Sequence, residues 1–273
     1  MTAFRAACVQ LRSSDDVAEN IRETVRLVRE AAARGATFIA TPENTSLMAP
    51  DGGAKLAQSF DEAHDPALPV FSALAKELNV WLLIGSLAIK VSDSKTANRS
   101  FLFAPDGTVA ARYSKIHLFD VALASGEVYR ESNTVAGGSE AVVADTALGA
   151  IGLTICYDVR FPQLYRSLAQ KGAFLFTVPS AFTVPTGEAH WHVLLRARAI
   201  ENGAFVIAPA QGGLHANGRK TYGHSLIISP WGEVLAEAQT EPGVILAEID
   251  PALSDQARAK VPNLQHDRAF AGP

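Results

Sequence analysis

Apolar positions along the chain alternate between the periods of strands and helices from the first residues onward. Residues 4–11, FRAACVQL, predict a buried strand because the run is mostly apolar. Apolar side chains then recur at helical spacing as far as Gly35, at Val17, Ile21, Val25, Val28 and Ala32. Asp16 and Glu19 have the spacing of a capping box at the start of that helix. Residues 36–43 predict a second strand, which ends in a carboxylate.

The same alternation continues through the middle of the chain. Apolar spacing predicts a helix over 66–79 and a strand over 80–89. Apolar runs on both sides of Asp106-Gly107 predict a β-hairpin, because this dipeptide favours the positive φ angles of a tight turn. Residues 116–140 show neither period and are rich in Gly, Ser, Asn and Glu. We expect a long loop there, of the kind that is usually functional or disordered.

The second half of the chain repeats the pattern without a break. Strands are predicted over 150–157, 172–180, 204–211, 224–230 and 243–250, and helices over 161–170 and 188–202. No linker rich in Pro or Ser and no change in composition divides the sequence. The pattern therefore predicts one α/β domain over residues 1–273, with helices covering a large mixed sheet.

Composition narrows the class of protein. Hydrophobic residues make up 48% of the 273 positions and charged residues 19%, which excludes a disordered chain. The net charge of −4 argues against a general binder of nucleic acid or anionic membranes. The N-terminal residues lack an apolar core of signal-peptide length, and the apolar run 80–89 is too short to span a bilayer. We therefore expect a soluble cytoplasmic protein.

Phosphate-binding loops, dinucleotide binding and serine-hydrolase chemistry lose support because their motifs are absent. The sequence contains no GxxxxGK[ST], no GxGxxG after a strand and no HExxH. The nearest approach to a GxSxG elbow, which begins at Gly223, lacks its second glycine. The only cysteines are Cys8 and Cys156, so neither a disulfide framework nor a CxxC site is present.

Three residues at predicted strand ends could support acyl transfer. Cys156 lies where an apolar strand meets a polar turn ahead of a helix, whose N-terminal partial charge favours the thiolate. Glu43 ends an apolar strand, and Lys115 follows another. Each residue also has a simpler interpretation: a buried small side chain, a solvated strand end and a surface charge. Because α/β sheets bind ligands at strand ends, the three together form a sensible catalytic set.

The histidines of the sequence give weaker evidence for a functional site than the three strand-end residues. His190 and His192 form an HxH pattern, but on a predicted helix their side chains point apart, and no third metal ligand lies at a recognisable spacing. His117, two residues after Lys115, could suggest a Cys-His dyad with Cys156. We predict packing or surface roles for the first two.

Three segments, in this order, resemble the signature motifs of the nitrilase superfamily of carbon–nitrogen hydrolases. They are TPEN at 41–44, YSKIHLFD at 113–120 and ICYDVRFPQLY at 155–165, with further similar stretches across most of the chain. The resemblance implies a four-layer αββα sandwich, a Glu-Lys-Cys triad and no metal or organic cofactor.

Carried onto this sequence, the resemblance implies that Glu43 is the general base, with a pKa raised by burial so that it cycles near neutral pH. It implies that Cys156 attacks an amide carbon to form a thioester, while Lys115 and the backbone N–H of Tyr157 hold the oxyanion. Glu43 then protonates departing ammonia and activates water.

Further residues of this pattern have supporting roles. Glu131, in the long loop after the lysine motif, matches a second glutamate that orients the lysine and the substrate, although a solvated loop acid is the simpler interpretation. We expect Asp158 and Arg160 to make local turn contacts that fix the cysteine. The family also implies a homodimer formed through the helices flanking the cysteine motif, with residues 250–273 as a tail that contributes to subunit contacts.

Within the superfamily, three sequence segments, AHWHVLLRARAIE, APAQ and YGHS, resemble those of the Nit branch, whose members hydrolyse deaminated glutathione or omega-amides. Ser114, where an arginine often precedes the lysine, and Gly212-Gly213 depart from that pattern and leave the acyl group open. The resemblance makes deaminated glutathione, or a similar omega-amide of a short dicarboxylic acid, the leading substrate hypothesis. An N-carbamoyl amino acid hydrolase is the nearer alternative. A catalytically silent scaffold is the alternative from another class, and a buried acid and cation argue against it because each costs several kcal/mol without compensation.

Overall fold

The computed structural model describes residues 2–122, 126 and 128–272. Within that part of the chain the strands are β1 (Phe4–Gln10), β2 (Phe38–Ala40), β3 (Trp81–Lys90), β4 (Thr96–Phe103), β5 (Val109–Ser114), β6 (Asp120–Ala122), β7 (Val128–Arg130), β8 (Val142–Thr146), β9 (Gly149–Leu153), β10 (Leu175–Thr177), β11 (Phe205–Ala208), β12 (Gly212–Leu214), β13 (Lys220–Tyr222), β14 (Leu226–Ile228), β15 (Val234–Glu237) and β16 (Gly243–Ile249). The α-helices are α1 (Val17–Ala33), α2 (Gly52–Gln58), α3 (Ala67–Leu78), α4 (Pro162–Gln170), α5 (Val184–Asn202) and α6 (Ala252–Lys260), and short 3₁₀ helices span Glu131–Asn133, Cys156–Arg160 and Asn263–Gln265.

Twelve of the sixteen described strands form two mixed sheets of six strands each, and the pairs β12-β13 and β6-β7 form two small separate sheets. The first has the order β16-β1-β2-β3-β4-β5 and the second β15-β14-β11-β10-β9-β8. Parallel pairs occupy the middle of each sheet, and antiparallel strands flank them. The prediction of one large mixed sheet was therefore wrong, because these strands divide between two large sheets. The two sheets with their flanking helices form the four-layer sandwich that the resemblance implied.

Alternation along each strand explains the four layers. In β1, Val9 belongs to the cluster that contains Leu27 of α1 and Phe71 of α3, whereas Cys8 belongs to the cluster that contains Leu153 of the second sheet. Successive side chains of a strand point to opposite faces, so one face of the first sheet meets helices and the other meets the second sheet. The same inner cluster continues to residues of α4 and α5, which cover the far side of the second sheet.

The predicted start of the first helix is confirmed, but its capping box is only half formed. Asp16 accepts a hydrogen bond from the backbone N–H of Glu19 at 2.9 Å. The Glu19 side chain does not return a bond to Asp16; it accepts one from the hydroxyl of Ser14, which also accepts from the Asp16 backbone N–H. Ser14 therefore takes over half of the cap.

Other predicted boundaries differ where the local pattern was short. Helix α5 begins at Val184 rather than 188, with a proline in its first turn. Helix α2 and strand β8 were not predicted. The predicted loop over 116–140 contains the three-residue strands β6 and β7, which pair with each other, and the 3₁₀ turn at Glu131–Asn133; its residues 123–125 and 127 lie outside the described residues. The equally short β2, β10 and β14 are fully buried and lie in apolar runs, whereas β6 and β7 are largely exposed and give no such signal.

The C-terminal segment folds back on its own chain. Helix α6 occupies the first part of the predicted tail, and the Ser254 hydroxyl donates to the carbonyl of Gly203. Arg258 donates to the carbonyls of Asn202 and Ala173 at 3.1 and 2.6 Å. Among the helices described, none is both long and apolar enough to cross a membrane.

Candidate active site

Three strand ends bring Glu43, Lys115 and Cys156 together. Glu43 follows β2 and Lys115 follows β5. These two strands run in the same direction, because β2 is parallel to β3 and because β4 is antiparallel to both β3 and β5. Their carboxyl ends therefore lie at one edge of the first sheet. Cys156 follows β9 of the facing sheet. The ends of both sheets thus meet around a cavity of about 740 Å³ that all three residues line.

The turns that carry Glu43 and Cys156 are tightly constrained. Cys156 has a φ of 49° and Asn44, directly after Glu43, a φ of 57°, both unusual for residues other than glycine. The Cys156 backbone N–H donates to the carbonyl of Pro179 at 2.9 Å. A Cβ at Gly85 would lie 2.0 Å from the Thr41 carbonyl oxygen and 2.5 Å from Pro179, so only glycine allows the approach seen here.

Lys115 lies between two carboxylates. Its Nζ is 2.9 Å from Oε1 of Glu43 and 2.9 Å from Oε2 of Glu131. Asn98 on β4 donates to both carboxylates, at 2.9 Å to Glu43 and 3.3 Å to Glu131. The backbone N–H of Phe119 also donates to Glu131 at 2.7 Å. Glu43 and Lys115 are 4% and 2% exposed, so the ion pair lies in a largely dry environment.

The charges of this cluster reverse one expectation. Burial raises the pKa of Glu43, but attraction to the Lys115 ammonium and hydrogen bonds from Lys115, Cys156 and Asn98 outweigh it, so the pKa lies below its ordinary value. The prediction of a raised Glu43 pKa was therefore wrong, because it considered burial alone. Burial lowers the pKa of Lys115, and the carboxylates of Glu131 and Glu43 more than offset that effect, which keeps the amine protonated.

The Cys156 thiol is also not a stabilised thiolate. Burial, together with the negative charge and hydrogen bond of Glu43, raises its pKa above the ordinary value, and the charge of Lys115 only partly opposes this. We expected the partial positive charge of a helix N-terminus to favour the thiolate form of Cys156. This prediction was wrong, because Cys156 opens a 3₁₀ turn and α4 begins only six residues later. The thiol is therefore protonated and donates to a carboxylate that is ready to accept its proton.

Asp158 makes contacts that reach well beyond its own turn. Its buried carboxylate accepts from the Ile155 backbone N–H at 2.9 Å, from the Tyr113 hydroxyl at 2.7 Å and from His117. The His117 ring donates through Nδ1 to Asp158 at 2.7 Å and stacks on Phe161, so it is engaged away from Cys156.

Arg160 faces the cavity. Its guanidinium lies 5.8 and 5.6 Å from the ring centroids of Tyr157 and Phe182. The contact with Tyr157 is local to the turn, as expected, whereas the contact with Phe182 joins the turn to another part of the cavity wall. No hydrogen bond from the Tyr157 backbone N–H is found within the described part of the chain, which leaves that donor available beside Cys156.

Four residues of the site were not singled out by sequence reasoning. Asn98 bridges the two glutamates, and Gln211 donates to the carbonyls of Glu43 and Asn44 at 3.0 and 3.2 Å. Gln211 belongs to the APAQ stretch, which could have drawn attention to it. Lys55 of α2 and Arg219, between β12 and β13, line the cavity and carry no local signal.

One group of side chains outside the cavity has the composition of a metal site. His192, His224 and Glu237 are, in the described ranges, the group of at least three His, Cys, Asp or Glu residues that lies close enough to share a cation, with ligand atoms within 4.8 Å of one another. Hydrogen bonds of 3.0 and 2.8 Å already join both histidines to Oε1 of Glu237. His190 points elsewhere, toward Arg160, as the helical spacing predicted.

Known proteins are similar to this chain in sequence and in fold. The family model described as carbon–nitrogen hydrolase matches residues 5–259. A deaminated glutathione amidase from Synechocystis is 43% identical over 270 residues, 97% of this chain and 98% of that protein. The human omega-amidase NIT2 is 34% identical over 269 residues, 98% of this chain and 96% of that protein.

Solved structures agree with that relationship. The C. elegans NitFhit protein superposes with a TM-score of 0.91 at 34% identity, and the match covers 97% of this chain and 65% of the NitFhit chain. An amidase from Nesterenkonia, with a TM-score of 0.80 at 25% identity over 94% of this chain and 98% of its own, was solved with acrylamide added to its active-site cysteine. The chain described here belongs to the carbon–nitrogen hydrolase family.

Proposed function

We propose that this protein hydrolyses a carboxylate-bearing amide through a thioester on Cys156, with Glu43 as general base and acid and Lys115 as a fixed cation. The observation that carries the proposal is the buried contact of one carboxylate with both an ammonium and a thiol at the edge of a cavity. Each of these groups would be costly to bury without a role.

The first half-reaction begins with transfer of the thiol proton to Glu43. The sulfur then forms a bond to the amide carbon, and the carbonyl π electrons move to oxygen to give a tetrahedral intermediate. When the C–N bond breaks, Glu43 gives its proton to the leaving nitrogen. The leaving group departs as ammonia from a primary amide or as an amine from a secondary amide, and a thioester remains.

Lys115 and Tyr157 suit the developing oxyanion. The Lys115 ammonium contacts one oxygen of Glu43 at 2.9 Å and both oxygens of Glu131 at 2.9 and 3.2 Å. Rotation about the terminal C–N bond turns the N–H of the longer contact toward the substrate oxygen while the other two contacts are kept. The free backbone N–H of Tyr157 supplies a second donor. Because the pKa of Lys115 lies well above its ordinary value, the amine remains a cation and does not compete with Glu43 as a base.

The second half-reaction uses the same groups on water. Glu43 accepts a proton from a water molecule as the water oxygen attacks the thioester carbon, and the same two donors hold the second oxyanion. Collapse breaks the C–S bond, the thiolate recovers its proton from Glu43, and the product acid leaves. Glu131 and Asn98 hold Lys115 and Glu43 in place throughout.

Deaminated glutathione is the leading substrate. The relative from Synechocystis is an amidase for this compound at 43% identity over nearly the full length of both chains. Among the described residues that line the cavity, six are lysine or arginine and three are acidic, which suits an anionic substrate. The omega-amide of a ketodicarboxylic acid is the second candidate, because the human relative at 34% identity is an omega-amidase.

The test is a comparison of substrates with matched cysteine variants. Wild-type protein should release a keto acid and cysteinylglycine from deaminated glutathione, faster than it releases ammonia from alpha-ketoglutaramate or an N-carbamoyl amino acid. Cys156→Ala should lose at least about 1000-fold in kcat, while Cys8→Ala retains activity. Full activity in Cys156→Ala would refute the mechanism, and a silent wild-type protein would favour the scaffold.

We further propose a homodimer in a reducing compartment such as the cytoplasm. Two apolar side chains one heptad apart on α5, Val193 and Ile200, are 68% and 52% exposed, which supports a partner on this face. Both cysteines are buried and unpaired. Sedimentation should give a dimer for wild type and a monomer for Val193→Asp, and residues 250–273 should gain further protection from hydrogen exchange in the dimer.

A further inference from the structure

Lys55 and Arg219, two of the six cations that line the cavity, have no carboxylate partner within the described residues. Lys115 is held between two glutamates, but within the described residues no Asp or Glu oxygen lies within 4.0 Å of the charged nitrogens of Lys55 or Arg219. Instead, neutral oxygen atoms hold both side chains in place. A cation near an enclosed site that lacks its own counter-charge is arranged to receive an anion.

Lys55 lies on the side of the cavity next to Glu43. It projects from α2, and its Nζ donates to Oδ1 of Asn44 at 2.9 Å. Asn44 directly follows Glu43, so the Lys55 ammonium is anchored one residue from the group that protonates the leaving nitrogen. Burial lowers the pKa of Lys55, and the carboxylates of Glu131 and Glu43 only partly oppose that effect. An additional anion beside Lys55 would stabilise its charged form.

Arg219 is anchored close to Cys156. Its Nη2 donates to the carbonyl of Ala181 at 3.1 Å, and the backbone N–H of Ala181 acts to lower the pKa of the Cys156 thiol. The guanidinium carbon lies 5.9 Å from the ring centroid of Tyr129. The Nε atom of Arg219 is buried and has no hydrogen-bond partner among the described residues. Because buried polar groups in proteins are nearly always hydrogen-bonded, an acceptor atom of a bound ligand would satisfy this donor.

We propose that Lys55 and Arg219 bind a carboxylate on the leaving-group half of the substrate. The inference rests on the proposed function, in which the leaving nitrogen receives its proton from Glu43 and must therefore lie beside it. An anion attached to that half is brought toward Lys55, which is hydrogen-bonded to Asn44, and toward Arg219, which lines the same cavity. The substrate class is thus an N-acylated amino acid or dipeptide with a free C-terminal carboxylate, rather than a primary amide.

A matched pair of substrates tests this site in the active enzyme. Deaminated glutathione carries a C-terminal carboxylate on its leaving group, its C-terminal carboxamide lacks that charge, and alpha-ketoglutaramate has only ammonia as its leaving group. Lys55→Met and Arg219→Met should each raise KM for deaminated glutathione by about 10- to 100-fold, the effect of losing a hydrogen bond to a charged group. Neither variant should change kcat/KM for the other two substrates more than about twofold.

Lys220→Met is the matched control, because Lys220 is an exposed cation on the same cavity wall. Its removal should leave the preference for the acid over the carboxamide unchanged. Equal losses on the acid and the carboxamide in Lys55→Met and Arg219→Met would overturn the proposal, as would wild-type kinetics in both variants.

Calorimetry with Cys156→Ala separates binding from turnover. This variant should bind deaminated glutathione at least about 10-fold more tightly than its carboxamide, and adding Lys55→Met or Arg219→Met should abolish the difference. If wild type fails to hydrolyse the compound but this binding pattern holds, the proposed function fails and the anion site stands. If hydrolysis is normal and the acid and carboxamide bind equally, the anion site fails and the proposed function stands.

Discussion

Asp158 and His117 are joined by two hydrogen bonds to one carboxylate oxygen. The backbone N–H of His117 donates to Oδ1 of Asp158 at 3.0 Å, and its ring Nδ1 donates to the same atom at 2.7 Å. Because Asp158 lies two residues after Cys156 and His117 two residues after Lys115, this contact ties the cysteine turn to the lysine segment. It holds together two parts of the site that come from different sheets.

Asp158→Asn should weaken both the fold and the reaction. The carboxylate accepts four hydrogen bonds, and an amide would turn its NH₂ toward two of the donors. We expect a loss of about 2–4 kcal/mol in the free energy of unfolding and a lower kcat, measured by urea denaturation and steady-state kinetics. Tyr113→Phe removes only one of the four bonds and should cost about 1 kcal/mol. Equal stability of the two variants would contradict this role.

Gly85→Ala should separate the two turns of the site. The new methyl group would lie 2.0 Å from the Thr41 carbonyl oxygen and 2.5 Å from Pro179, whose own carbonyl accepts from Cys156. We expect a loss of at least about 2 kcal/mol in stability and about 100-fold in kcat/KM, because small displacements of reacting groups are costly. Gly243→Ala, with no atom within 4 Å of its added Cβ, is the control and should be nearly neutral.

The acidic limb of the pH–rate profile should lie at low pH. Activity requires ionised Glu43, and its pKa is below the ordinary value of 4.5, so kcat/KM should stay level down to about pH 5 and fall only below it. The depressed pKa also means that the stability contributed by Glu43 is present above its unfolded pKa and is lost as pH falls through the folded one. Circular dichroism should therefore accompany the kinetics. A limb centred near pH 6.5 would show that burial, rather than Lys115, controls Glu43.

Alkylation should distinguish the two cysteines and show no thiolate plateau. Cys156 borders the cavity and is 7% exposed, whereas Cys8 is fully buried in β1. Iodoacetamide should therefore label Cys156 alone in the native protein, as measured by peptide mass spectrometry. Because the pKa of Cys156 is raised, its rate should rise with pH through about pH 9 without levelling off. A plateau near neutral pH would indicate a preformed thiolate, and equal labelling of both cysteines would argue against an accessible nucleophile.

Much of the fold could be predicted because strand and helix periods are local. Residues two apart on β1 face the same layer wherever the strand lies, so alternating apolar positions indicated buried strands before any contact was known. The sequence also indicated Glu43, Lys115 and Cys156, since each ends an apolar strand and lies in a motif. Strands β6 and β7 are short and largely exposed, so they have no detectable apolar pattern. The division of the strands into two large sheets depends on pairings between distant segments.

The sequence by itself determined which residues could carry the chemistry; tertiary structure decided their charge states and what surrounds them. Lys115 is 72 residues from Glu43 along the chain, yet their 2.9 Å contact turns an expected rise in the Glu43 pKa into a fall. Lys55 and Arg219 likewise gained significance only when α2 and the β12–β13 turn met at one cavity. A pKa depends on distances between charges and on burial, and neither quantity is encoded in local spacing.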